Sequence, residues 1–165
     1  MIEYKDLEDI IGTLKVRNLT IATAESCTGG MIASELTTVP GSSEVVRGGV
    51  VAYQIAAKRD MLGLASVNEE NVVSAQTASD MAQAAWQCFG ATVGVGTTGY
   101  LDGDTPHAFW EIQWEAAHGH KPNVLRGEIQ FPVGTHRRGA NRLMVVHEVI
   151  QALLSINPGT IELRI

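Results

Sequence analysis

The sequence predicts an α/β protein, a mixed β-sheet covered by helices on both faces. Three observations point there. Short apolar, β-rich runs alternate with stretches of helical spacing, and glycine-marked turns separate them. Near the C-terminal third, "HAFWEIQWEAA" and "NVLRGEIQFPV" follow one another as two antiparallel strands. The resulting order is α-β-α-β-α-α-β-β-β-α.

Each element has its own signal. Leu7, Ile10, Ile11 and Leu14 recur at i, i+3, i+4 and i+7, which predicts an amphipathic helix over Tyr4 to Val16. "LTIATAE" is a strand, and "GGMIASELTTV" returns to helical spacing until Pro40-Gly41 marks a turn. "VVRGGVVAYQ" is a second strand, whose Gly48-Gly49 pair predicts a bulge or a close backbone approach. "IAAKRDMLGL" reads as a short helix stopped by Gly63.

A polar, loop-like stretch runs from Leu64 to Val73, and then "SAQTASDMAQAAWQCFG" is helical, with Ser74 or Thr77 as its N-cap and Gly90 beyond its end. "ATVGVGTTG" is a glycine-rich strand and "YLDGDTP" a turn or loop. The antiparallel pair is joined by "HGHKP", and "HRRGANRLMVVHEVIQALLSI" closes the fold as a long helix that Asn157-Pro158-Gly159 stops. No repeat, low-complexity tract or linker interrupts the chain, so residues 1–165 read as a single domain.

Composition bounds the function. With 45% apolar and 18% charged residues, the chain has the balance of a globular protein and not of a disordered one. A net charge of −6 argues against a nucleic-acid partner held through phosphates. Cys27 and Cys88 make neither a disulfide framework nor a metal cluster, and a reducing cytoplasm is the simpler setting. The acidic, amphipathic start is unlike a secretory signal, and no apolar stretch is long enough to suggest a membrane span. The expectation is a soluble, cytoplasmic protein with a small-molecule ligand and no metal or cofactor.

Candidate chemistry concentrates in "ESCTGG", residues 25–30, where a strand passes into a helix. Free backbone N–H groups at such a junction can bind a phosphate or stabilise an oxyanion. The plainer reading is a capped turn, in which Ser26 or Thr28 caps the helix and the glycines only permit the bend. As a nucleophile Ser26 needs a base, and the nearest candidates are Tyr53, at a strand end, and Lys58, on the helix that follows. A lysine serves as a base only if burial or neighbouring cations lower its pKa; otherwise it is a solvated surface residue. Cys27 is the rival nucleophile, and alternation along an extended strand keeps Ser26 and Cys27 from sharing one face.

Other side chains offer less. "HGH" at 118–120 has metal-like spacing but no third ligand implied by its surroundings. Arg138 and Arg142 lie one turn apart on the last helix and could grip a phosphate or carboxylate together. Neither "GGVV" nor "GVGTTG" matches a dinucleotide-binding fingerprint. Ser26, Tyr53 and Thr98 each fall near a strand end, so parallel strands would turn all three toward one cleft.

Together "TAESCTGG" (23–30), "VPGSS" (39–43), "GGVVAY" (48–53), "AK…LG" (within 57–63) and "VS" (73–74) resemble the CinA C-terminal domain family. Its characterised enzymes are nicotinamide mononucleotide deamidases. The resemblance runs from about Leu7 to Leu154 and implies a three-layer α/β/α sandwich with a mixed β-sheet, in stand-alone form and usually homo-oligomeric. It also implies a metal-free amidohydrolase site. By motif, Ser26 matches the nucleophile, Tyr53 and Lys58 the relay and base, and backbone N–H groups of Thr28, Gly29 and Gly30 the oxyanion donors. Thr98 and Gly99 match the start of a substrate loop, and Arg138 or Arg142 the phosphate-binding arginine.

The substrate loop departs from the family. Where members read "IAGP" this chain reads "YLDGD" at 100–104, and where they read "PVGT" it reads "PHAF" at 106–109. Bulky Tyr100 and His107 replace small residues, and Asp102 and Asp104 add negative charge near the implied phosphate site. These departures keep two alternatives open: a ligand-binding or regulatory paralogue without deamidation, and a Ser/Lys hydrolase of another small amide that lacks a phosphate.

Overall fold

A computed structural model describes residues 1–114, 121–134 and 137–156. His118, His120, His136 and the Asn157-Pro158-Gly159 stop lie outside the described residues. Ten regular elements appear: α1 (Tyr4–Val16), β1 (Ile21–Glu25), α2 (Met31–Leu36), β2 (Val46–Val51), α3 (Ile55–Leu62), α4 (Ala75–Phe89), β3 (Val93–Tyr100), β4 (His107–Trp114), β5 (Asn123–Gln130) and α5 (Arg138–Leu154). A short 3-10 turn, Ser42–Glu44, follows the Pro40-Gly41 break.

The strands form one sheet in the order β2-β1-β3-β4-β5. β1 runs parallel to β2 and to β3, whereas β3, β4 and β5 are joined antiparallel. The sheet is therefore mixed, as the sequence predicts. Two apolar cores flank it. Leu7, Ile10 and Ile11 of α1, Leu36 of α2 and Val145, Val149 and Leu153 of α5 pack with Ile21, Val95 and Ile112 on one face. Leu62 of α3 and Met81 and Ala85 of α4 pack with Ala22 and Ala24 on the other.

Glycine sets the depth of the second layer. A Cβ on Gly96 would lie 2.2 Å from the Ala78 carbonyl oxygen, and one on Gly94 2.1 Å from that of Ala82. Gly94 and Gly96 thus let α4 rest directly on β3. The Gly48-Gly49 expectation also holds. The β1–β2 register shifts between Ile21 and Ala22, and Gly48 takes a φ of 146°, open to glycine but strained for other residues. Helix α4 begins where Ser74 accepts a hydrogen bond from the Thr77 N–H, so Ser74 is the cap and Thr77 its partner.

Candidate active site

Because β1, β2 and β3 run in the same direction, the segments at their carboxyl ends converge. Ser26, Tyr53, Lys58, Thr98, Gly99 and Tyr100 line a cleft of about 510 Å³, walled on its far side by Glu69, Val72 and Val73. Thr98 ties that wall to the sheet by donating from its hydroxyl to the Val72 carbonyl at 2.6 Å.

Strand alternation decides between serine and cysteine. Ala22 and Ala24 face α4, so Ser26 follows them toward that side, while Cys27 is packed in the opposite core at 2% exposure. Burial pushes the Cys27 thiol up to about 12, so it stays protonated and unreactive as a thiolate. Ser26 is the side chain at the cleft.

Lys58 meets it there. Its Nζ donates to Ser26 Oγ at 2.8 Å, to the Ala52 carbonyl at 2.8 Å and to the Tyr53 carbonyl at 3.4 Å. The residue is 1% exposed, and burial lowers its pKa from the ordinary lysine value of 10.5. In the neutral amine, two N–H groups can serve the two carbonyls, which leaves the lone pair for the Ser26 hydroxyl. The solvated surface lysine that the polar helix would otherwise suggest is not what the fold produces.

Two further expectations, for the Tyr53 hydroxyl and for the amides of the turn, are corrected by the contacts. The Tyr53 side chain is half exposed, and its hydroxyl accepts from Arg138 Nη2 at the rim; what reaches Lys58 is the Tyr53 backbone carbonyl. The Thr28 side chain is fully buried, with its Oγ1 2.8 Å from Thr97 Oγ1, so it does not face the cleft. Of the amides expected to be free, Gly29 N–H donates to the Ser26 carbonyl at 3.1 Å and Gly30 N–H to Glu25 Oε2 at 3.0 Å. Within this turn, the Cys27 and Thr28 N–H groups have no oxygen acceptor among the described residues.

Glu25 is the residue that motif reading passed over. Fully buried, its carboxylate accepts from Gly30 and Ile32 N–H at 3.0 and 3.1 Å through Oε2 and from Ala33 N–H at 2.9 Å through Oε1. It satisfies the first turn of α2 and complements the positive end of that helix. An anion would find that end already occupied. The signal was weak, because a capping-box acid follows the N-cap by three residues, whereas Glu25 stands before the N-cap residue Gly30.

The two arginines separate. Arg142 donates from Nε to the Cys27 carbonyl at 3.2 Å, and its guanidinium lies against Gly29. It supports the nucleophile turn from behind. Arg138, by contrast, lies at the rim and donates to the Asp102 carboxylate at 2.7 Å as well as to Tyr53. No group of three or more His, Cys, Asp or Glu is placed to hold a metal among the described residues. Among them, too, no helix is long and apolar enough to cross a membrane.

Fold and site together define a mixed-sheet α/β protein with a buried serine–lysine pair at the carboxyl ends of its parallel strands. The CinA C-terminal domain pattern matches residues 4–111, and the chain belongs to that family. A CinA-like protein of Gemmatimonas aurantiaca is 45% identical over 105 residues, 61% of this chain and 24% of that protein. One of Salinibacter ruber is 46% identical over 105 residues, 61% and 26% of the two chains. The chain thus spans about a quarter of the length of these relatives. The crystal structure of the competence/damage inducible protein CihA from Agrobacterium tumefaciens superposes with a TM-score of 0.78 at 33% identity, covering 93% of this chain and 94% of that one. The competence damage-inducible protein A from Klebsiella pneumoniae shares the fold at a TM-score of 0.76 and 21% identity, over 92% and 94% of the chains.

Proposed function

We propose that the protein is an amidohydrolase of the nicotinamide mononucleotide deamidase type, in which Ser26 is the nucleophile and Lys58 its general base. The observation that supports this most is the 2.8 Å contact between Lys58 Nζ and Ser26 Oγ in a buried setting that favours the neutral amine. As Ser26 Oγ attacks the carboxamide carbon, its proton passes to Lys58. The tetrahedral oxyanion is held by the N–H groups of Cys27 and Thr28, which are the donors left uncommitted.

The lysine ammonium then gives its proton to the departing amine, and ammonia leaves. A water molecule, deprotonated by the same lysine, cleaves the serine ester to release the carboxylate and restore Ser26. The net reaction is carboxamide plus water to carboxylic acid plus ammonia. Family membership supports the substrate class, with nicotinamide mononucleotide and water giving nicotinate mononucleotide and ammonia. Purified protein is expected to release ammonia from nicotinamide mononucleotide, and Ser26→Ala to release at least about a thousandfold less. Binding of that nucleotide with no ammonia from the unaltered protein would replace this reading with a ligand-binding role.

A further inference from the structure

We infer that Asp102 is an internal counter-anion, seated on Arg138 where a substrate phosphate would sit, and that the cleft therefore selects a carboxamide lacking a phosphate. The substrate part rests on the amidohydrolase reading above; the binding preference stands on its own.

Arg138 is the guanidinium at the cleft rim, joined to the lining residue Tyr53 through its hydroxyl. Its Nη1 donates to the Asp102 carboxylate at 2.7 Å, a charge-assisted contact of the kind a phosphate oxygen would make. The carboxylate is also held in place. Leu101, fully buried, has its carbonyl bound by Asn141 Nδ2 at 2.8 Å, and the Pro106 carbonyl accepts from Phe131 N–H at 3.0 Å. Arg138 and Asn141 are three residues apart on one face of α5, so the helix grips successive residues of the β3–β4 loop. Gly103, at a φ of 100°, turns the chain immediately afterwards.

Asp102 is thus presented to Arg138 by a loop anchored at both ends. Arg142 commits its Nε to the Cys27 carbonyl, and its guanidinium lies against Gly29 in the nucleophile turn. The exposed carboxylate of Glu69 on the cleft wall adds a second negative charge. A phosphorylated substrate meets a guanidinium already paired with a carboxylate and has to compete with that negative charge. A carboxamide without a phosphate, such as a pyridinium nucleoside, has no such cost.

The test is equilibrium binding by calorimetry to Ser26→Ala, which does not turn over, using nicotinamide mononucleotide and the same molecule without its phosphate. The expected result is tighter binding of the phosphate-free nucleoside. In Ser26→Ala/Asp102→Asn the nucleotide-to-nucleoside affinity ratio is expected to rise about fivefold, as freeing a rim guanidinium from a surface pair should allow. Asp102→Ala in the same background should give the same shift. A ratio that does not move, tighter binding of the nucleotide to Ser26→Ala, or no binding of either ligand overturns the inference. Ammonia release by the Ser26-intact protein is measured beside it. If neither molecule is hydrolysed but the ratio shifts, the amidohydrolase reading fails and the Asp102 assignment stands.

Discussion

The two halves of the cleft are built from different materials. On the nucleophile side, Glu25, Ser26, Cys27 and Lys58 are all buried, and α2 and α3 are locked to the sheet through buried polar contacts. On the rim, Arg138 and Asp102 have side chains 43% and 50% exposed, and Tyr53 and Tyr100 stand half in solvent. The difference follows from what each half has to do. A lysine becomes a base near neutral pH only when water is kept from its ammonium form, which requires a closed, unchanging core. A rim that selects among ligands works through exposed charge, and it can change in sequence without disturbing the base.

Substitutions on either side of the cleft put that contrast to the test. Lys58→Met is expected to have the largest effect, lowering ammonia release by at least about a thousandfold, measured at substrate saturation. It should leave the fold intact. Because the folded-state pKa of Lys58 lies below 10.5, the folded protein resists its protonation. That penalty is present in full below the folded-state pKa and is relieved as pH rises toward 10.5, so thermal unfolding of Lys58→Met should gain most over the unaltered protein at low pH.

Glu25→Ala comes next. It strands the N–H groups of Gly30, Ile32 and Ala33 and should cost about 3 kcal/mol in urea unfolding. A loss under about 1 kcal/mol would show that the nucleophile turn does not depend on this carboxylate. Tyr53→Phe should have the smallest effect. With its hydroxyl on Arg138 and not on Ser26, kcat is expected to fall by less than about tenfold, and any change to appear in KM. A drop of a hundredfold in kcat would restore the tyrosine as a proton relay.

Features that repeat locally were legible in the sequence. The i, i+3, i+4, i+7 spacing places α1 at Tyr4–Val16 in sequence and structure alike, and Ser74 and Gly63 act as the cap and stop their positions suggest. Strand alternation also anticipates that Ser26 and Cys27 face apart. What sequence could not show depends on neighbours distant along the chain. Nothing in "IAAKRDMLGL" distinguishes a buried Lys58 from Arg59 beside it; only the placement of α3 over the ends of β1 and β2 does. The Tyr53–Arg138 contact spans 85 residues, and the Arg138–Asp102 pair 36. The acids of "YLDGD" announced extra charge near the implied phosphate site, but their partner became visible only once α5 was seen to hold that loop.

The central claim is that Ser26 is activated by a buried, neutral lysine. Covalent labelling by an organophosphorus serine reagent tests it most directly, since no substrate need be known. Intact mass and peptide mapping would follow the rate against pH. One adduct is expected, on Ser26, with a rate that rises with pH around a midpoint below 10.5 and is lost in Lys58→Met. Labelling at Cys27, or a Ser26 rate that Lys58→Met leaves unchanged, would contradict it.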